Sequence, residues 1–116
     1  MKEGIYMNKP KRILTIAGAA AGGSAGIQAD LKTFQELDVY GMSVLTAIVA
    51  RHPITDKNVH PQSLEAIEAQ FATANRQVGF DGLKTGMLFS TDVIERVAQL
   101  IQDTTIPNIV VDPVMV

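Results

Sequence analysis

Residues 13–37, ILTIAGAAAGGSAGIQADLKTFQEL, hold the change of period that decides the fold. Ile13-Leu14-Thr15-Ile16-Ala17 is a short apolar, β-branched run without alternation, as expected of a strand covered on both faces. Gly18 to Gly26, GAAAGGSAG, is a loop of small residues. After it Ile27, Leu31, Phe34 and Leu37 recur at helical spacing, with Gln28, Asp30, Lys32 and Glu36 on the opposite face, predicting a helix over about 25–37.

Outward from this unit the pattern repeats. Met42 to Ala50 reads as a second buried strand, and residues 51–62, RHPITDKNVHPQ, as a polar excursion with a short extended piece near Asn58 to His60. Ser63 offers a helix cap with Glu65 in the first turn, and Leu64, Ile67, Phe71, Ala74 and Val78 form the expected buried stripe up to Gly79. Leu83 to Gly86 reads as a strand, and Ser90 and Asp92 open a third helix with Val93, Val97 and Leu100 inward. Ile109 to Val111 is the last strand. Strands alternating with amphipathic helices predict an α/β class, a three-layer α/β/α sandwich around a mostly parallel sheet. Right-handed crossovers would gather the turns at Gly18, Arg51, Gly86 and Asp112 along one rim, where a ligand is expected. Residues 1–12 read as a polar N-terminal segment and 13–116 as the N-terminal portion of a single domain, since IPNIVVDPVMV ends the sequence on an apolar strand that calls for neighbours.

Composition narrows the classes of function. Ten Lys and Arg against twelve Asp and Glu give a net charge of -2, so no basic field exists to gather nucleic acid or anionic lipid. No apolar run has the length of a membrane span, and the charged opening MKEGIYMNKPKR lacks a secretory apolar region, so a cytoplasmic location is expected. The absence of cysteine removes thiolate nucleophiles and Cys-based metal sites.

Candidate chemistry lies in the turns. Gly22, Gly23 and Gly26 allow close backbone approach, and Ser24, Ala25 and Gly26 stand at a helix start whose N–H groups can hold an oxygen or anion. The spacing is neither GxGxxG nor a Walker A loop, and no acidic residue ends the second strand to bind a ribose. Asp30, one turn into the helix, can accept a hydrogen bond from a substrate, or simply favour the helix N-terminus. Arg51, His52 and Lys57 crowd the excursion, which can close over a ligand or stay solvated. His52 and His60 lack partners at metal-ligand spacing. Lys84 and Asp112 end strands, where a cation can offset phosphate charge and a carboxylate can sit near a metal or phosphate, or where each can pair with the other. Met87 and Met115 read as packing residues, although a methionine can border an aromatic ligand.

The segments LTIAGAAAGGSAGIQADLKTFQEL (14–37), YGMSVLTAIVA (40–50), GLKTGML (82–88) and VVDPVMV (110–116) together resemble the hydroxymethylpyrimidine/phosphomethylpyrimidine kinases and related pyridoxal kinases of the ribokinase-like superfamily. The resemblance covers residues 12–116, a little under half of a full family member, and so implies an incomplete ribokinase-like domain. It implies a pocket in which Gly18, Gly23 and Ala25 line the ring, Asp30 bonds its substituents, Arg51 approaches from the excursion and Met87 borders it. Lys84 and Asp112 fall toward the phosphate and metal. The implied reaction moves the γ-phosphate of ATP, with Mg²⁺, to a hydroxymethyl oxygen. The implied base and anion hole belong to a later Gly-x-Gly-Cys segment, so no catalytic residue is expected in 1–116, and a homodimer is the expected assembly.

Two departures from the family pattern bear on substrate. Gly18-Ala19-Ala20 replaces Gly-Ser/Thr-Asp, removing a carboxylate that would anchor the loop. Arg51 replaces the glutamine typical of pyrimidine kinases, and a guanidinium has donors only, so it cannot read an aminopyrimidine edge in the same way. The expectation is therefore a pyridoxal-type kinase first and a hydroxymethylpyrimidine kinase second. Another sugar or nucleoside kinase and a non-catalytic binding or interaction domain, the latter favoured by Ala19-Ala20, are the rivals.

Overall fold

The computed structural model describes residues 9–115; most of the polar opening segment, residues 1–8, and Val116 lie outside the described residues. In chain order the elements are β1 (Arg12–Ala20), α1 (Gly26–Glu36), β2 (Tyr40–Val49), β3 (Val59–Pro61), α2 (Leu64–Thr73) running on into a π-helical turn (Ala74–Val78), β4 (Gly82–Thr85), α3 (Thr91–Gln102) and β5 (Asn108–Val111). One five-stranded sheet has the order β3-β2-β1-β4-β5. β1 pairs in parallel with β2 and β4, β4 with β5, and only β3 is antiparallel, against β2. The expected mostly parallel α/β fold is therefore present.

From β1 the chain first travels through α1 to β2 on one side, and later through α3 from β4 to β5 on the other. With right-handed crossovers this change of direction puts α1 on one face of the sheet and α2 and α3 on the other. Register assigns the side chains. Leu14, Ile16, Val44 and Leu83 pack against Ile67 and Phe71 of α2 and Val93 and Val97 of α3, forming the main core. Phe71 and Phe80 meet edge to face with ring centroids 5.6 Å apart. Thr15, one residue out of phase with Leu14 and Ile16, points the other way, toward α1. Under α1, Gly41 admits the helix closely: a Cβ there would lie 2.9 Å from both Leu31 and Phe34 side chains.

Ser63 and Ser90 cap their helices, accepting hydrogen bonds from the N–H groups of Ala66 and Val93. Arg96 and Glu68 form an ion pair between α3 and α2. At the sheet end opposite the gathered turns, Arg12 grips Asp81 through two side-chain nitrogens and also donates to the Val78 carbonyl at 2.6 Å.

Some expectations need correction. Leu37, Leu64 and Val78 are exposed rather than buried. Each stands at a helix margin, where the stripe has run past the sheet it covers. The helix expected to run unbroken to Gly79 changes winding at Ala74, and the Gly79 N–H bonds back to the Ala74 carbonyl. β1 continues through Gly18-Ala19-Ala20, read from sequence as loop. β5, by contrast, behaves as read: it is the edge of the described sheet and its four residues are exposed, an apolar strand that calls for neighbours.

Between Ala17 and Ala19, β2 has one residue more than β1, a bulge opposite Gly18 that places both Thr46 and Ala47 in the interior. It lies at the C-terminal end of β1, where the two halves of the sheet diverge.

Candidate active site

In an open parallel sheet, a ligand crevice forms at the C-terminal ends of the strands where chain direction reverses. Here that place is the gap between the ends of β1 and β4, and it holds a cavity of about 260 Å³. An apolar cavity of about 150 Å³ already accommodates benzene, so this one has room for a single substituted ring.

The loop that roofs the cavity is tied at both ends. Ala19 and Gly26 form an isolated antiparallel bridge, the Gly23 N–H donates to the Ala20 carbonyl at 3.0 Å, and the Gln28 Oε1 accepts from the Ala20 N–H at 2.8 Å. Gly26 has φ +60°, and a Cβ there would fall 2.2 Å from the Gly18 carbonyl oxygen, so only glycine fits. Ala25 precedes α1 in an extended conformation and brings no side-chain cap, and the first turn has no carboxylate. The first-turn N–H groups beside the cavity are thus free of side-chain acceptors. Missing Ala19-Ala20 side-chain polarity is offset by Gln28, which takes the anchoring role from the helix side.

On the opposite wall Met87 reaches over Gly18, where a Cβ would stand 2.7 Å from the methionine methyl. Its backbone is clamped, because the fully buried Thr46 hydroxyl donates to the Met87 carbonyl at 2.6 Å. Lys84, from β4, brings the cation. Its Nζ donates to Asp30 Oδ2 at 2.8 Å, and the buried Thr15 hydroxyl donates to that same oxygen at 2.6 Å. Thr15 and Lys84 are register partners on β1 and β4, so α1, β1 and β4 meet at one carboxylate oxygen. Asp112 continues the β5 ladder, its N–H on the Thr85 carbonyl, and its Oδ1 accepts from the Val114 N–H at 2.9 Å. Val114, a β-branched residue with φ +52°, is held in a strained conformation at the cavity margin.

Of the residues singled out from sequence, Gly18, Ala25, Lys84, Met87 and Asp112 line this cavity. Gly23 does not; with φ +85° it makes the roofing turn, and its carbonyl accepts from Lys32. Asp30 stands one layer behind the wall, joined to it through Lys84. Arg51 is outside: its exposed guanidinium donates to Asn58 and pairs with Asp56 inside the excursion, which His52 also folds by accepting from the Ile54 and Thr55 N–H groups. The pairing of Lys84 is with Asp30, not with Asp112. Gly86, named as one of the rim turns, also lines the cavity, whereas sequence reading passed over Thr15 and Thr46. A hydroxyl set within an apolar run was the available signal for both, since a buried hydroxyl must find a partner.

A wider depression of about 450 Å³ lies between β2 and α2, but its walls bring only neutral side chains such as Met42, Gln70 and Gln77, away from the switch in chain direction. Gln70 is already spent, donating to and accepting from the Leu45 backbone. Among the described residues no three potential metal ligands cluster, and the Asp112 carboxylate turns back on its own chain. The described residues thus do not build a metal site by themselves.

Comparison with known proteins agrees with this architecture. Pyridoxine kinase of Bacillus subtilis is 51% identical over 107 residues, an alignment spanning 90% of this chain and 40% of that protein. Hydroxymethylpyrimidine/phosphomethylpyrimidine kinase of the same organism is 47% identical over 105 residues, spanning 90% and 39%. The solved structure of Staphylococcus aureus pyridoxal kinase in complex with AMP-PCP and pyridoxal superposes with a TM-score of 0.84 at 44% identity, covering 94% of this chain and 41% of that one. The chain therefore spans about two fifths of the length of these relatives. Residues 21–116 match the family model for phosphomethylpyrimidine kinase, and with the fold and these identities the chain belongs to the phosphomethylpyrimidine kinase family.

Proposed function

We propose that this chain forms the ring-binding part of an ATP-dependent kinase that phosphorylates a hydroxymethyl group on a vitamin B6 ring. The observation that supports it best is the cavity between β1 and β4, roofed by the 21–25 turn between β1 and α1 and walled by Met87 and the Asp30-paired Lys84. A flat ring inserted there has a methionine on one side, backbone N–H groups at the α1 start, and a donor at Lys84, which Asp30 holds from behind. In the reaction the hydroxymethyl oxygen bonds to the γ-phosphorus of ATP while the bond to the ADP oxygen breaks and the hydroxyl proton leaves to a base. The share of this segment is orientation, with Lys84 supplying positive charge beside the acceptor. Mg²⁺ would supply charge neutralisation on the phosphates. No base is assigned to these residues.

Hydroxymethylpyrimidine or its phosphate is the second reading, favoured by the relative of that activity at 47% identity. The B6 ring stands first because Arg51 is folded into the excursion by Asp56 and Asn58, leaving no glutamine-like donor-acceptor pair at that position. A homodimeric, cytoplasmic protein without nucleic-acid or membrane partners belongs to the same reading. No helix of the described residues is long and apolar enough to cross a membrane.

The test is a panel of pyridoxal, pyridoxine and hydroxymethylpyrimidine with ATP and Mg²⁺ on the intact protein. Turnover of a B6 ring with the lowest KM supports the first reading, and of the pyrimidine the second. No turnover and no nucleotide binding would favour a non-catalytic binding domain. Asp30→Asn should raise the ring KM about tenfold, because a hydrogen bond involving a charged group contributes roughly 1.5–3 kcal/mol.

A further inference from the structure

The Asp30 carboxylate is engaged in an unsymmetrical way. Oδ2 accepts both the Thr15 hydroxyl and the Lys84 ammonium, whereas Oδ1 has no hydrogen-bond partner among the described residues. Asp30 and Lys84 side chains keep about a fifth of their surface exposed, 19% and 22%, while Thr15 is wholly buried. Left to itself, a carboxylate facing an ammonium can turn to offer both oxygens. The Thr15 hydroxyl, short at 2.6 Å, resists that turn by holding Oδ2 against β1. One consequence follows for the cavity: Lys84, which has three donors and uses one on Asp30, keeps the others for a ligand.

We propose that Thr15 is the positioning residue of this pocket: through Asp30, which stands behind the wall, it fixes the Lys84 ammonium at the cavity and keeps its remaining donors free. The ligand feature it serves is an anionic or carbonyl oxygen on a ring edge. The inference rests on the kinase reading for its choice of ligand, but the geometry it concerns does not. Thr15 lies on the strand that also supplies Leu14 and Ile16 to the core, so its replacement by the isosteric valine retains the strand shape while removing the donor.

In the intact protein, Thr15→Val should raise the dissociation constant of the preferred ring, measured by calorimetry without nucleotide, about tenfold. KM should rise in parallel and kcat change far less. Thr15→Ser, which keeps the hydroxyl, should recover most of the loss. Thr15→Val in an Asp30→Asn background should add little, since the two act as one unit. A second readout needs no ring: with Asp30 free to turn both oxygens onto the ammonium, Lys84 should become severalfold less reactive toward a small amine-acylating reagent, followed by mass spectrometry, in Thr15→Val than in the parent. Unchanged ring affinity and unchanged Lys84 reactivity overturn the inference. So does a loss shared by kcat and melting temperature that serine does not rescue, which marks a packing role. If no ring binds the parent protein, the kinase reading fails, and Lys84 reactivity alone then decides: a fall upholds Thr15 as positioning residue, no fall removes it.

Discussion

Gly26 joins the α1 start to β1 at a place where no side chain fits. A Cβ would meet the Gly18 carbonyl at 2.2 Å, and the neighbouring atoms are backbone, which cannot swing aside. Adding the penalty for φ +60°, Gly26→Ala should destabilise the protein by roughly 2–4 kcal/mol, read as a lower urea midpoint with unchanged slope. The requirement for small residues in this loop was visible in GAAAGGSAG, because that composition has few other uses. Which glycine is indispensable was not visible, since it depends on an oxygen of Gly18 brought back by the turn. Asp30 shows the same division. Its place on the polar face of a helix was readable, but its partner Lys84 lies far along the chain and becomes its neighbour only through β1–β4 register. Arg51 went the other way: sequence brought it toward a ring, and the structure spends it on Asp56 and Asn58, residues of its own excursion.

At the scale of elements, β2 and the segment after β4 are coupled by one buried bond, from Thr46 to the Met87 carbonyl. Thr46→Val retains the shape and leaves that carbonyl without its donor. The expected cost is about 1–3 kcal/mol in stability, together with weaker ring binding as Met87 loses its fixed backbone, checked by chemical denaturation and calorimetry on the same preparation. Helix starts were legible at Ser63 and Ser90 because capping is local chemistry, and strand positions because the apolar runs were bounded by turn residues. What sequence could not show was extent. The Gly18-Ala19-Ala20 segment looks like loop by composition, yet pairing with both β2 and the bridge at Gly26 draws it into the sheet. Val110 and Val111 were more legible: an apolar strand that calls for neighbours stands exposed at the sheet edge.

Across the whole molecule the two ends of the sheet do different work. The end away from the cavity is fastened by Arg12 and Asp81, where the Arg12 hydrogen bonds hold the Asp81 carboxyl below its ordinary value of 3.8. A depressed carboxyl stabilises the fold above its unfolded-state value, and the benefit is lost as pH falls through the lower folded value. Unfolding followed by circular dichroism below pH 3.8 should therefore show a shallower acid dependence for Asp81→Asn than for the parent. The difference should shrink in about 1 M salt, because both side chains are partly exposed. Ring affinity at neutral pH should not change, as this clamp is remote from the cavity.

The extra residue of β2 opposite Gly18 lets this stretch turn two successive side chains inward. Up to Leu45 the strand keeps one phase relative to β1, and beyond the bulge it keeps another, which is the phase that brings Val49 to the cavity. Removing one residue opposite Gly18 would let the ladder run through in a single phase with Val49 still across from Ala20, so the rim beyond would keep its place while one of the two inward side chains, Thr46 or Ala47, lost its seat. A shortened β2 should therefore keep its outline at the crevice and fail instead in what that outline is fastened to, a cost set by side chains rather than by strand pairing.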